Sequence, residues 1–445
     1  MKNTAMALLR GRANCARSAP PETGEEPSAA MQRLIAPART ILRHRGFMVL
    51  LGCNVLVGLA FSFVGPFLSL FATQEVGMSQ FAYGAFMVGL SLSAIASSTV
   101  LARWSDTRLS RRTVLLLGGF TGAAGYVGFA FVRDVTWLIV IGCVPLAVAS
   151  ITFSQLFAHA RDLLERSAVP PNETPLYMNV FRLAFALAWT VGPAAASWVM
   201  MLDRFRGTFL VAALCFLLFA LAVVFLVPAT PPSATARAAA AKLPLRRVLA
   251  RPDVLAYFVG FALLFASSTM AMANLPLLVT QTLGGTARDV GIVYSVAPFF
   301  ELPFMFYLGL LATKSDQARL IRFAVVMSVA YYTLLALVRA PWHIYPLQIL
   351  SAAITAVIGG IAITFFQNFL PDQAGTATNL YTNAARFGST AGYLMFGAVA
   401  EAWGNRAVFW ICTLLCAVAL ALLTAFGQQT GRHGFARPQT APTIS

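Results

Sequence analysis

The sequence predicts an all-α integral membrane protein of twelve transmembrane helices, arranged as two pseudo-symmetric six-helix bundles. Three observations predict it. First, 58% of the 445 residues are hydrophobic and only 11% charged, with a mean hydropathy of +0.74, whereas a soluble domain carries about 25% charge. Second, apolar runs of roughly 20 residues, each enough to cross a bilayer core at about 1.5 Å per residue, recur between short polar breaks. Third, polar landmarks of the first half return in order in the second.

Residues 1–42 are rich in Arg, Pro, Ala and Glu and lack the sustained apolar core of a signal peptide, so they read as a disordered basic cytoplasmic tail. Residues 43–228 hold the first six spans, at 47–71, 81–102, 113–132, 135–158, 176–202 and 207–228. The stretch "PATPPSATARAAAAKLPLRRVLARPD" from Pro228 then interrupts them. Its Pro and Ala content, followed by Arg246, Arg247 and Arg251, suits a cytoplasmic linker over 229–253 that can hold a short surface helix. Residues 254–427 hold the second six, at 254–281, 289–312, 319–339, 342–370, 373–400 and 406–427, before a cytoplasmic tail at 428–445.

The net charge of +16 is a topology signal and not a nucleic-acid footprint. Counted loop by loop, 24 of the 32 lysines and arginines fall on the side of the N-terminus and 6 on the other, leaving Arg182 and Arg386 inside spans. The positive-inside rule then places both termini in the cytoplasm. The six cysteines, Cys15, Cys53, Cys143, Cys215, Cys412 and Cys416, have no metal-ligand or disulfide spacing. No metal or cofactor is expected, and the chain is expected as a monomer in the lipid bilayer.

Aligning the halves pairs "TQEVG" at Thr73 with "TQTLG" at Thr280, and "LARWSD" at Leu101 with "LATKSD" at Leu311. It also pairs "ITFSQLF" at Ile151 with "ITFFQNF" at Ile363, and "LYMNVFR" at Leu176 with "LYTNAAR" at Leu380. Shared composition accounts for matching Leu and Ala, but not for polar residues matching in order. A parallel six-plus-six repeat handling substrate near the midplane is similar to the architecture of the major facilitator superfamily.

Buried polar residues carry the functional expectation. Arg182, Glu301 and Arg386 lie inside spans, where insertion scales charge about 2.5 to 3.5 kcal/mol for an ionised side chain at the helix centre. Glu301 stands about 16 Å from either end of its span by helical rise, so it faces a wet cavity, pairs with a cation or stays protonated. It is the proton-coupling candidate, against a static buried pair or a permanent acid. Pro298 and Pro303 flank it and free backbone groups there. Arg182, about 9 Å from the start of its span, can snorkel to the surface, whereas Arg386 lies deeper and is the better candidate to meet substrate or Glu301.

Asn179, Arg182, Ala186 and Trp189 share one helix face, and Asn383, Arg386, Thr390 and Tyr393 share the equivalent face in the other half. Gln155 and Gln367 occur within ITFxQxF, and Asn54 and Asn274 in spans 1 and 7. Amides donate and accept, which suits hydroxyl-rich ligands, and aromatic faces suit sugar rings or drugs. Asn54, Gln155, Asn179, Arg182, Trp189, Asn274, Gln367, Asn383, Arg386 and Tyr393 are therefore the substrate-binding candidates. The competing reading of each amide is interhelical glue.

The loop "ARWSDTRLSRR" contributes Asp106, Arg111 and Arg112 as a cytoplasmic gate. The arginines also serve as topology determinants, while a carboxylate here accepts helix N-terminal amides or a guanidinium and links helices that part on opening. No Walker A pattern, HExxH or GxSxG turn is found, and His44, His159, His343 and His433 are scattered at helix ends and tails, where interfacial residence is expected.

The gate loop resembles motif A of the superfamily (G-x-x-x-D-R/K-x-G-R/K-R/K), with Asp106, Arg111 and Arg112 retained and Ala102 and Leu109 in place of its glycines. "SQLFAHARDL", "LAWTVGPAAA", "FFELPFM", "FFQNFLPDQAGTATNLYTNAARFG" and "AEAWG" together resemble the bacterial sugar efflux transporters of that superfamily, over about residues 47–427. The resemblance implies an exporter of sugars, glycosides or sugar analogues driven by proton antiport, with Asp106 as the gating acid. A multidrug/proton antiporter is the nearest alternative, and a non-transporting membrane sensor or enzyme the third.

Overall fold

The computed structural model of the chain describes residues 45–107, 109–167, 174–228, 251–369 and 374–430. The tail over 1–42 and nearly all of the 229–253 linker lie outside the described residues. Within them every regular element is helical: α1 (Arg45–Glu75), α2 (Gln80–Thr107), α3 (Arg111–Phe131) and α4 (Val135–Arg166) open the chain. The next helical segment, Thr174–Leu226, breaks at Asp203 and Arg204, whose backbone leaves the helical region with Arg204 at φ 47°, separating α5 (174–202) from α6 (205–226). Then follow α7 (Pro252–Thr282), α8 (Ala287–Lys314), α9 (Gln317–Leu337), α10 (Pro341–Asn368), α11 (Ala374–Trp403) and α12 (Asn405–Thr430).

Among the described residues, ten segments are long and apolar enough to cross a membrane. The expected twelve are not matched one for one, because α5 and α6 count as a single segment across their break and α11 is not among the ten. Asn379, Asn383, Arg386 and Glu401 make α11 polar for a span. Side chains such as Leu202, Phe225, Phe306 and Trp403 stand exposed on the helix surfaces. They need an apolar solvent, which lipid supplies.

Local chemistry starts the helices where the sequence permits. Ser110 accepts the Thr113 N–H at 3.1 Å to begin α3, Asp134 accepts the Trp137 N–H at 3.1 Å to begin α4, and Thr286 with Asp289 forms a capping box on α8. Wide turns, with bonds from i to i+5, close α1 at Phe71–Glu75 and α7 at Leu278–Thr282. In α1, Val76 N bonds Phe71 O at 3.1 Å and Met78 N bonds Ala72 O at 2.9 Å; in α7, Leu283 N bonds Leu278 O at 3.0 Å and Gly285 N bonds Val279 O at 2.8 Å. Each ladder ends on a glycine with positive φ, Gly77 at 78° and Gly284 at 69°, a conformation other residues adopt at a cost. The repeated TQxxG is thus a repeated backbone device. Wide turns also interrupt α4 at Gly142–Leu146, where Pro145 sits, and α10 at Ala356–Ile361.

Candidate functional site

Three helices bring the central charges together. Glu301 sits half-buried in the middle of α8, which continues as one helix through Pro298 and Pro303. Arg182 on α5 projects an exposed guanidinium that acts electrostatically on Glu301 and on Tyr381 of α11. No ion pair within 4.0 Å joins Arg182 to Glu301, so a gap separates the two charges. Of the two arginines, Arg182 is within electrostatic range of Glu301, while the exposed Arg386 has no hydrogen bond or ion pair among the described residues.

Trp189 lies two turns along α5 from Arg182. Its ring reaches the meeting of α1 and α7: a methyl group on Gly65 would stand 3.3 Å from it and 3.8 Å from Met272. The indole N–H is buried and has no protein partner. An orphaned donor costs about 1 to 3 kcal/mol, so it is a group waiting for an acceptor. Asn179 is exposed and Asn383 half-buried, both without a hydrogen bond among the described residues.

Four amides expected as substrate contacts hold the protein together instead. Asn54 is fully buried and donates to the Phe181 carbonyl at 2.6 Å, tying α1 to α5. Asn274, also fully buried, donates to the Asn405 carbonyl at 2.8 Å, tying α7 to α12. Gln367 donates to Thr378 Oγ1 at 3.0 Å between α10 and α11. Gln155 accepts from Arg111 at 3.4 Å at the end of the bundle where α2 joins α3. In each case a side chain that can satisfy a neighbouring polar group does so before it faces open space.

The gate arginines are pinned. Arg111 Nε donates to Asp162 Oδ2 at 2.6 Å, and Arg112 donates to the Val223 and Val224 carbonyls at 3.3 and 2.7 Å. Those carbonyls belong to the last turn of α6, where a cation is favoured. Asp106, the gating acid expected from the sequence, has its side chain outside the described residues. His159 is 4% exposed near the end of α4, close to Asp162 and Arg111.

Contacts between the first six segments and the last six gather at the end bearing the α1–α2, α5–α6, α7–α8 and α11–α12 connections. Gln74 donates to Thr280 at 3.4 Å, Gln80 to Asn405 at 3.0 Å, and the Phe81 N–H to Glu401 at 3.2 Å, so Glu401 caps the first turn of α2. Ala194 N of α5 bonds Ser295 of α8 at 3.1 Å. Gly84 of α2 and Gly397 of α11 let their helices touch: a methyl on Gly84 would lie 2.6 Å from the Tyr393 carbonyl and 3.0 Å from Gly397 Cα. Tyr393 sits beside Tyr83 and Tyr294 in this closed face and not with Arg386. That end is shut.

Residues 50–393 match the Major Facilitator Superfamily. Over 83% of its length the chain is 35% identical to a Deinococcus radiodurans protein named as a sugar efflux transporter, covering 95% of that protein. The chain belongs to the sugar efflux transporter family of the major facilitator superfamily. Sugar efflux transporter A of Dickeya chrysanthemi is 31% identical over 82% of the chain and 91% of its own length. Among solved structures, the nucleoside transporter NupG superposes with a TM-score of 0.71 over 85% of this chain and 99% of its own, at 15% identity, a likeness of fold.

Within this major facilitator fold, sequence reasoning passed over Tyr381, Asp162, Glu401 and Asn405. Tyr381 stood inside the quoted LYTNAAR, and its twin Tyr177 in LYMNVFR was the available signal. Asn405 could not be singled out, since its importance lies in its partners: it accepts from Gln80 and donates to Gln281 and Thr282 at 3.3 Å each.

Proposed function

We propose that this chain is a proton-coupled exporter of sugars, glycosides or sugar analogues, working by alternating access in a bacterial inner membrane with both termini in the cytoplasm. The separated charges of Arg182 and Glu301, one from each half, carry the reading. A carboxylate and a guanidinium held apart in a membrane are met by a ligand whose hydroxyls donate to one and accept from the other. Trp189 adds a donor and an apolar ring face for the same ligand. The charge distribution makes the closed end the outer one, so the site faces the cytoplasm.

Proton and substrate compete for Glu301. Facing the cytoplasm, the ionised carboxylate accepts substrate hydroxyls; facing the more acidic outside, protonation removes that acceptor and substrate leaves. The proton then rides inward and is lost on the return. Substrate affinity from the cytoplasmic side is thus present when Glu301 is ionised and falls as pH drops through its titration.

The test is a panel of sugars, glycosides and lipophilic cations offered to inverted vesicles with an imposed pH gradient, reading proton flux. Sugars or glycosides are expected to drive flux in the native protein. Glu301→Gln is expected to abolish gradient-driven transport and keep downhill exchange. Uphill transport by Glu301→Gln at the native rate would overturn the coupling role, and flux driven only by lipophilic cations would overturn the substrate class in favour of multidrug antiport.

A further inference from the structure

A second space, apolar with a few hydroxyls in its wall, lies among the last six helices. A cavity of about 130 Å³ lies between α7, α9, α10 and α12. Its wall carries hydroxyls from Ser268, Ser328, Tyr331, Ser351 and Thr355, with Gly359 at its edge. No charged side chain lines it. Tyr331 accepts from Gln348 at 3.3 Å, while Ser328 donates to the Ala324 carbonyl at 2.8 Å. Each hydroxyl keeps acceptor capacity for a ligand. Ser268, Thr355 and Gly359 are exposed, so the cavity has a mouth.

The cavity wall touches Tyr381. Phe265 and Ile358 line the cavity, and both hold Tyr381: its ring packs on Phe265 with centroids 5.5 Å apart, and its hydroxyl donates to the Ile358 carbonyl at 2.9 Å. Tyr381 is also the aromatic that Arg182 acts upon. Tyr381 therefore borders the cavity wall and lies within electrostatic range of Arg182. A site without charge disfavours ions, because nothing repays their desolvation. Hydroxyls among aromatic rings favour a neutral hydroxylated group. The volume is several waters at about 30 Å³ each, and below the roughly 300 Å³ at which pockets take a whole drug-sized ligand.

We propose that this cavity is a subsite for one neutral hydroxylated ring or arm of the transported sugar, the remainder lying against Arg182, Glu301 and Trp189. The assignment rests on the sugar-export reading above.

Two neighbouring glycines of α10 supply the test. Cβ atoms on Gly359 and on Gly360 would meet nothing within 4 Å, and neither has positive φ, so larger residues fit at both. Only Gly359 borders the cavity. Glucose, galactose, xylose and methyl β-glucopyranoside are offered in inverted vesicles, and the best of them is taken forward. Gly359→Leu is expected to raise its KM at least tenfold with kcat kept, and Gly360→Leu to leave both unchanged. Independently, in a background without the native cysteines, that sugar is expected to slow modification of Thr355→Cys by methyl methanethiosulfonate at least fivefold. Equal KM values for the two leucine variants, or no protection of Thr355→Cys by a sugar that is transported, would overturn the subsite and leave the export reading standing. Proton flux with none of the four sugars would overturn both. Thr355→Cys decides the matter if Gly359→Leu does not fold.

Discussion

The contact between Gly84 and Gly397 predicts how far one methyl group moves the transport cycle. In Gly84→Ala the new Cβ would stand 2.6 Å from the Tyr393 carbonyl oxygen, where ordinary contacts lie at 3.4 to 4 Å, an overlap of about 0.8 Å against backbone atoms. Neither atom is the end of a flexible side chain, so α2 and α11 must separate. Overpacking of this kind costs typically about 1 to 3 kcal/mol. The strain exists only while this end is closed, so it counts fully against that state, and about 1 to 3 kcal/mol corresponds to a 5- to 150-fold shift in population. The assay is the distance distribution between spin labels at Trp137→Cys and Trp342→Cys, exposed residues at the starts of α4 and α10 on this end. In a background lacking native cysteines, Gly84→Ala is expected to populate a longer distance in proportion to that shift. An unchanged distribution in a protein of unchanged melting temperature would refute the reasoning, since the overlap would then have been relieved without parting the helices.

Other outcomes follow from the same geometry. Trp189→Phe removes the orphaned indole N–H and is expected to leave stability unchanged or raise it by about 1 kcal/mol, while lowering sugar affinity about tenfold, checked by melting temperature and KM together. Arg111→Ala strands Asp162 in a pair whose side chains are each 19% exposed, so it is expected to lower the melting temperature more than the double variant Arg111→Ala/Asp162→Ala does. Asn405→Ala removes a side chain that serves Gln80, Gln281 and Thr282 at once, and is expected to favour the same opened state as Gly84→Ala in the spin-label assay. Substrate KM on the cytoplasmic side is expected to rise as pH is lowered, and the pH dependence to vanish in Glu301→Gln.

Spans and repeat were legible because both are properties of order along the chain. Apolar runs need no partner to be recognised, and TQEVG with TQTLG marks the repeat by order alone, although the backbone turn they share is visible only in its hydrogen bonds. Glu301 was legible for a similar reason, since any carboxylate so far from both helix ends must have an unusual environment. What escaped depends on azimuth and on distant partners. Asn54 paired to a helix carbonyl and Asn179 standing open look alike in sequence, and only the packing of α1 against α5 separates them. Depth along the helix favours Arg386 over Arg182, yet it is Arg182 that lies within electrostatic range of Glu301. Gly84 and Gly397, 313 positions apart, mean nothing until two helices cross.

The twin turns at the ends of α1 and α7 have one more consequence. Two identical bundles related by a two-fold axis would make each contact twice, as a self-complementary dimer does. Gln74 of the first turn reaches Thr280 of the second, but Gln281, its counterpart, accepts from Asn405 and leaves Thr73 to its own helix. Fusion into one chain has released the second copy from mirroring the first. Positions that align perfectly on paper are therefore not interchangeable, and a glutamine lost at 74 unfastens the two halves directly, whereas one lost at 281 loosens the clasp from behind.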